Sequence, residues 1–245
     1  MDISYWTNLS PIVKIVDTKK KFYNQYFYKL LIYVPGCKLI TEQLDRTVDI
    51  ALTERILRME QRNRNWGGSW FDDRSFNEMK ENTRVDQIEY FRETKKEYED
   101  LIKYRTEKDH ISIYCDDEDL LYKIAANDPY NRIHEIHRPR DEKEKEILSR
   151  GESIVVNIKH GYKIVVRPWM HINNETVSQI YNYLLSLEDQ IQMPRGFRIF
   201  LENKDQYKMT GNLYFYTSDP GIVTFIQMIC PRFITGIHKL SKVAR

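Results

Sequence analysis

The sequence predicts an α+β protein, and three observations lead to that prediction. Short runs rich in aromatic and β-branched residues, of which Tyr26–Val34 is the strongest, are typical of strands. Longer segments place apolar residues three and four positions apart, as amphipathic helices do. A strand–helix–strand pattern that begins near residue 110 returns 102 residues later, in the last part of the chain.

The first third of the chain predicts two strands followed by a helical hairpin. The strands are Ile12–Val16 and Tyr26–Val34. The first helix starts near Thr41 and extends for roughly 20 residues, judged by its apolar spacing. The second helix carries Val85 and Ile102 at the two ends of its apolar face.

An aromatic loop joins the two predicted helices. Gly67 and Gly68 interrupt the helical pattern, and Trp66 and Trp70 flank them. Tryptophan is enriched in binding hot spots, so this loop is a candidate contact for a protein partner. The alternative is that both rings pack beneath the loop as local core.

The middle of the chain predicts a strand, a helix and a second strand, followed by a charged stretch. Asp117–Ala126 is the helix, with acidic residues in its first turn. The charged residues 140–146 form either a solvated helix or an exposed linker. Ser153–Lys159 and Tyr162–Val166 predict a hairpin, and Asn173 or Asn174 predicts the cap of a later helix. Residues 197–201 fit either a strand or a helix.

The C-terminal segment resembles the middle one residue by residue. Tyr216 matches Tyr114 and Asp219 matches Asp117, both at a spacing of 102, and an insertion of two residues aligns His238 with His134. We therefore expect N-terminal strands and a helical hairpin in residues 1–107. We expect a duplicated domain in residues 108–245, with two ferredoxin-like βαβ units around an antiparallel sheet.

The charge and the cysteine content of the chain limit the partners and the cellular compartment that we expect. The chain has 38 Lys+Arg and 36 Asp+Glu, so no bulk field directs it to nucleic acid or to an acidic membrane. Locally, residues 106–150 hold 8 basic and 12 acidic residues, whereas residues 151–245 hold 11 basic and 7 acidic ones. Cys37, Cys115 and Cys230 lack any paired spacing and predict buried free thiols in a reducing, cytoplasmic compartment.

Two further sequence features bear on location and source. The N-terminus lacks a basic-then-apolar leader, and the apolar runs have strand length, so we expect no membrane association. Abundant Lys, Ile, Asn and Tyr with little Ala reflect AT-rich coding, which is typical of phages and low-GC bacteria.

A basic and aromatic surface is the leading functional prediction. An open sheet face can stack aromatic side chains on bases while nearby cations contact phosphates. The glycine–aromatic signature of RNA-recognition modules is absent, so only the architecture is shared. The candidate residues for single-stranded RNA or DNA are Lys159, His160, Tyr162, Lys163, Arg167, Tyr214 and Tyr216. By strand alternation Tyr214 and Tyr216 share one face.

Three other interpretations of these sequence features are possible. The basic hairpin is also what an ordinary solvated sheet edge looks like. A structural or assembly subunit of a viral particle or larger complex would explain the lack of a catalytic motif. A metal-dependent nuclease would use Asp116, Asp117 or Asp119, although acids that open a helix are accounted for by capping. His134 and His137 alternate along a strand and do not predict a metal pair, and no cofactor motif occurs.

Overall fold

A computed structural model describes residues 3–40, 47–65, 83–107, 109–167, 172–202 and 213–243. These residues form an α+β fold with eight α-helices and ten strands, as the sequence predicts. The strands make two separate five-stranded sheets. The chain divides into two compact units, Met1–Arg140 and Asp141–Arg245, with one sheet in each. We call them the N-terminal unit and the C-terminal unit.

The N-terminal unit contains β1–β5. Its elements in chain order are α1 (Ile3–Leu9), β1 (Lys14–Asp17), β2 (Tyr28–Tyr33), a 3₁₀ helix (Cys37–Ile40), α2 (Val48–Asn65), α3 (Val85–Glu97), β3 (Ile102–Glu107), β4 (His110–Cys115), α4 (Glu118–Ala126) and β5 (Ile133–Arg138). The strand order is β1-β5-β2-β4-β3. β1 is parallel to β5, and the other neighbours are antiparallel.

The C-terminal unit contains β6–β10. Its elements are α5 (Glu142–Ser149), β6 (Ser153–Val155), β7 (Tyr162–Val166), α6 (Asn174–Leu185), a 3₁₀ helix (Glu188–Gln190), β8 (Ile191–Gln192), α7 (Arg195–Glu202), β9 (Leu213–Thr217), α8 (Ile222–Ile229) and β10 (Ile234–Lys242). The strand order is β6-β10-β7-β9-β8, again with one parallel pair, β6 and β10. Both units thus repeat one strand order.

The repeated strand–helix–strand pattern is present, and the repeat extends beyond it. β4–α4–β5 corresponds to β9–α8–β10, and in each unit an earlier strand, β2 or β7, lies between the two strands of the motif. The expected boundary at 107/108 therefore falls inside the N-terminal unit. β3 and β4 pair across that position, and β2 supplies hydrogen bonds to both β4 and β5.

Two local predictions differ from the structure. Residues 153–166 do not form a hairpin, because β10 lies between β6 and β7 and pairs with both. The helix expected to reach Ile102 ends at Glu97, and Ile102 begins β3 with its side chain buried. Apolar spacing alone did not separate the end of this helix from the strand that follows it.

Side-chain caps begin two helices of the C-terminal unit, and a third helix contains the residues whose type the sequence left open. The carboxylate of Asp141 accepts the amide hydrogen of Glu144 at 2.8 Å, which starts α5 within the charged stretch. The side-chain oxygen of Asn173 accepts the amide hydrogen of Thr176 at 2.7 Å and caps α6. The ambiguous residues 197–201 are helical, in α7.

Each unit packs helices against one face of its sheet. In the N-terminal unit Leu30 and Ile113 are buried with Phe91 of α3, and in the C-terminal unit Phe215 stacks on Phe197 of α7 at 5.6 Å. Cys37, Cys115 and Cys230 are buried free thiols, as predicted. Burial raises the pKa of Cys37 to about 11, so this thiol stays protonated and poorly reactive at neutral pH.

Candidate nucleic-acid interface

The C-terminal sheet presents one face whose side chains stay partly exposed and lie away from the core that the described helices build. Along β7 and β9, Ile164 and Phe215 point into the core, so the residues between them point to the other side. We call this side the open face. The residues that line it are Lys163, Val165, Tyr214, Tyr216, Gly236 and His238. In the strand register Lys163 lies between Tyr216 on β9 and His238 on β10.

The side chains of the open face form a compact aromatic and basic group. The Lys163 Nζ atom lies 3.8 Å from the centroid of the Tyr214 ring, in cation–π geometry. The rings of Tyr214 and Tyr216 meet edge to face with centroids 5.4 Å apart. Partial burial raises the pKa of Tyr216, so the phenol is neutral at physiological pH. Both rings remain partly exposed to solvent.

Glycine at position 236 makes room for the histidine of the open face. A Cβ atom at Gly236 would lie 3.3 Å from His238 Nε2 and 3.9 Å from the Val165 Cβ. The imidazole therefore lies along β10 rather than away from the sheet. This placement puts the imidazole beside Lys163, in addition to the rings of Tyr214 and Tyr216.

Three of the seven predicted residues lie on this side of the sheet, and a fourth, Arg167, lies at its end. Lys163, Tyr214 and Tyr216 form the group just described. Arg167 is exposed and follows the last residue of β7, where continued alternation with Lys163 and Val165 would bring it to the same side. Its amide hydrogen bonds to the Phe233 carbonyl at 2.8 Å, which continues the ladder to β10.

The other three predicted residues lie elsewhere. Tyr162 shares its face with Ile164, on the opposite side of the sheet, because strand alternation separates it from Lys163. Lys159 and His160 belong to the connection between β6 and β7. His160 Nδ1 is 3.0 Å from Ser218 Oγ, so the histidine ties this connection to the end of β9. Burial, followed by the charge of Lys159, lowers the pKa of His160.

One lysine of the C-terminal sheet is neutralised by an ion pair, and it lies on the side opposite the open face. Lys239, on the opposite side of β10, pairs with the buried carboxylate of Glu152 at 2.8 Å, and Ser241 donates to the other carboxylate oxygen. These two hydrogen bonds lower the pKa of Glu152. Within the described part of the chain, Lys163 and Arg167 form no ion pair, so both are available to an anion.

The N-terminal sheet places the same residue types at the corresponding positions. Lys29 on β2 lies between Tyr114 on β4 and His137 on β5, as Lys163 lies between Tyr216 and His238. The alignment of His238 with His134 was therefore wrong, because counting along the sequence cannot detect the register shift between β2 and β5. Here the group is covered, and Tyr114 is only 5% exposed.

His134 belongs to a different cluster, which the sequence did not predict. His110 Nε2 and His134 Nδ1 are 3.1 Å apart, and the His134 ring stacks on Tyr33 with centroids 5.9 Å apart. His137 instead contacts Glu135 at 3.0 Å. Burial lowers the pKa of His137, and the Glu135 carboxylate opposes that effect. His134 and His137 thus have different partners.

The acidic segment before α4 holds structural contacts. Asp117 caps the helix by accepting amide hydrogens from Asp119 and Leu120 at 2.8 Å and 3.3 Å. Asp116 accepts the amide hydrogen of Phe27 at 3.0 Å. Asp219, at the equivalent position, accepts the amide hydrogen of Gly221 at 2.7 Å. Among the described residues, no three His, Cys, Asp or Glu side chains converge as metal ligands would.

No family model, curated protein or solved structure matches this chain. None of the described helices combines the length and the apolar character that a membrane span requires. The predicted partner contact at Trp66 and Trp70 lies outside the described residues. The cytoplasmic location stays a prediction.

Proposed function

We propose that this protein is a nucleic-acid-binding accessory factor that holds single-stranded RNA or DNA on the open face of its C-terminal unit. The observation that carries the proposal is the group formed by Lys163, Tyr214 and Tyr216 on a partly exposed sheet face. Every base has a π-face, so tyrosine rings bind single strands with little sequence preference. Duplex bases are stacked on each other and cannot reach such a surface.

The expected salt dependence of binding follows from the number of cations that can contact phosphates. We expect Lys163 and Arg167 to make two phosphate contacts. For a single strand, each phosphate contact adds roughly −0.7 to the slope of log affinity against log salt concentration. The expected slope of about −1.4 corresponds to a roughly seven-fold loss of affinity between about 50 mM and 200 mM salt. The binding is therefore weak and driven by stacking as much as by charge.

The two other functions predicted from sequence have less support. A metal-dependent nuclease needs carboxylates that converge on a cation, whereas Asp116 and Asp117 bond separate backbone amides. The assembly-subunit prediction stays a prediction, because its main candidate contact lies outside the described residues.

Binding of a labelled single-stranded oligonucleotide, followed by fluorescence anisotropy at low salt, tests the proposal. The variant Tyr214→Leu/Tyr216→Leu removes both rings and keeps the strand apolar. Stacking contributes about 1–3 kcal/mol per base, so the loss of two rings weakens binding by roughly 30-fold or more. The matched control is Tyr181→Leu, which removes a ring from α6 on the helix side of the same unit. No binding by the wild-type chain, or equal loss in both variants, would contradict the proposal.

A further inference from the structure

The turn Phe22–Tyr26 covers the part of the N-terminal sheet that corresponds to the open face. We call these residues the aromatic turn. Its rings surround Tyr114: the centroid distances are 5.4 Å from Phe22, 5.0 Å from Tyr23 and 6.5 Å from Tyr26. Phe22 also meets the His137 ring edge to face at 5.6 Å. The covered surface therefore includes the tyrosine and the histidine that match Tyr216 and His238.

The aromatic turn occupies this surface through contacts that a nucleobase would also make. Lys103 lies directly opposite Tyr114 in the register of β3 and β4. Its Nζ atom is 3.8 Å from the centroid of the Tyr23 ring, the same distance that separates Lys163 from Tyr214. Lys29 lies on the other side of Tyr114. One lysine and one tyrosine, Lys103 and Tyr114, thus hold a planar ring supplied by the chain itself.

The backbone of the aromatic turn is strained, so its side-chain contacts hold it in place. Tyr23 has φ 55° and Asn24 has φ 58°, in the left-handed region. That region is unfavourable for a bulky residue such as tyrosine. Phe22 and Tyr26 exchange two backbone hydrogen bonds of 2.9 Å each. Loss of the ring contacts would let this strain relax.

In the described part of the C-terminal unit, the same sheet surface is partly exposed. Its connection between β6 and β7, residues 156–161, is shorter than residues 18–27 and contains no Phe, Tyr or Trp. The matching tyrosine, Tyr216, is partly exposed, whereas Tyr114 is buried. The cover is thus an added feature of the N-terminal unit and is not required by the strand order.

We propose that the N-terminal unit carries a second face for single-stranded nucleic acid, which the aromatic turn occludes and which opens when the turn is displaced. The face consists of Lys29, Lys103, Tyr114 and His137. This inference rests on the proposed function of the C-terminal unit, since the ligand is identified through the matching residues there. The aromatic turn acts as an internal competitor, so the second face binds more weakly than the first.

The test uses the full chain and a labelled oligouridine. In a background of Tyr214→Leu/Tyr216→Leu, the variant Phe22→Ser/Tyr23→Ser/Tyr26→Ser removes the competing rings. Binding at low salt should then strengthen over the background alone by the inverse of the fraction of molecules with an open turn, which is roughly ten-fold if about one molecule in ten is open. Asn24→Gly is the matched control: it relieves left-handed strain and keeps all three rings, so it should not raise affinity.

The outcomes separate the two proposals. If the wild-type chain binds through Tyr214 and Tyr216 and the serine variant, while folded by circular dichroism, adds no binding, the second face is overturned and the proposed function stands. If the wild-type chain binds no oligouridine, the proposed function fails; the serine variant then still decides the second face on its own.

Hydrogen exchange on the wild-type chain keeps the inference testable if the serine variant does not fold. The amides of Phe22 and Tyr26 are bonded in the closed turn. Saturating oligouridine at low salt should speed their exchange, because the ligand favours the open state. Unchanged or slower exchange at both amides would overturn the proposal.

Discussion

Removal of the Glu118 carboxylate should strongly destabilise the N-terminal unit. Glu118 Oε1 accepts a hydrogen bond from the Trp6 indole at 3.0 Å and lies 3.2 Å from Arg138 Nη1. The side chains of Glu118 and Arg138 are only 7% and 12% exposed, and Trp6 is fully buried. The change Glu118→Leu would leave the Arg138 guanidinium buried without this carboxylate.

The expected cost follows from this burial. Breaking a buried ion pair by removing one partner costs about 3–5 kcal/mol, because the remaining charge loses compensation. Replacing both partners, in Glu118→Leu/Arg138→Met, removes that buried charge and should cost at least about 2 kcal/mol less than the single change. The control Glu93→Leu breaks an exposed pair with Lys96 on α3 and should cost less than about 1 kcal/mol.

Urea unfolding monitored by circular dichroism measures all three variants. The predicted order of destabilisation is Glu118→Leu first, the double variant second and Glu93→Leu last. The reasoning is refuted if Glu118→Leu costs no more than Glu93→Leu. It is also refuted if the double variant is as unstable as the single one, because the cost would then not come from an unpaired Arg138.

Three other predictions concern caps, pH and salt. Asp117→Ala should lower the unfolding free energy by about 1 kcal/mol through loss of the cap of α4, as urea midpoints would show; an unchanged midpoint would contradict the capping role. Burial lowers the pKa of His137 below 6.5, so the unfolded state binds more protons and stability falls as pH drops from about 7.5 to about 5.5. His137→Gln should flatten this fall, and an unaltered pH profile would count against it. Lys163→Gln should reduce the salt slope of oligonucleotide binding by roughly 0.7, whereas Lys143→Gln on α5 should not change it; equal slopes in the two variants would exclude the phosphate contact.

Local chemistry could be predicted from the sequence because it depends on near neighbours. Asp117 precedes an apolar helix, and its carboxylate reaches the first free amides without help from the rest of the fold. Tyr214 and Tyr216 share a face because they lie two residues apart on one strand. These features needed no knowledge of the strand order.

The strand order and the shared surfaces could not be predicted in the same way. β2 lies between β4 and β5 although it is distant from both in the sequence, and β7 lies in the same way between β9 and β10. The face of Tyr162 and the match of His238 with His137 depend on this register. The aromatic turn covers Tyr114 through contacts between residues far apart in the chain, for which apolar spacing gives no signal.

Ultraviolet cross-linking of a uridine-containing single strand to the wild-type chain, with mass-spectrometric mapping of the linked peptide, tests the central claim most directly. The open face places Tyr214 and Tyr216 beside Lys163, so the linked residues should be these two tyrosines. Cross-linking should disappear in Tyr214→Leu/Tyr216→Leu and persist in Tyr181→Leu. Cross-links confined to other parts of the chain, or none from a folded wild-type protein at low salt, would contradict binding on this face.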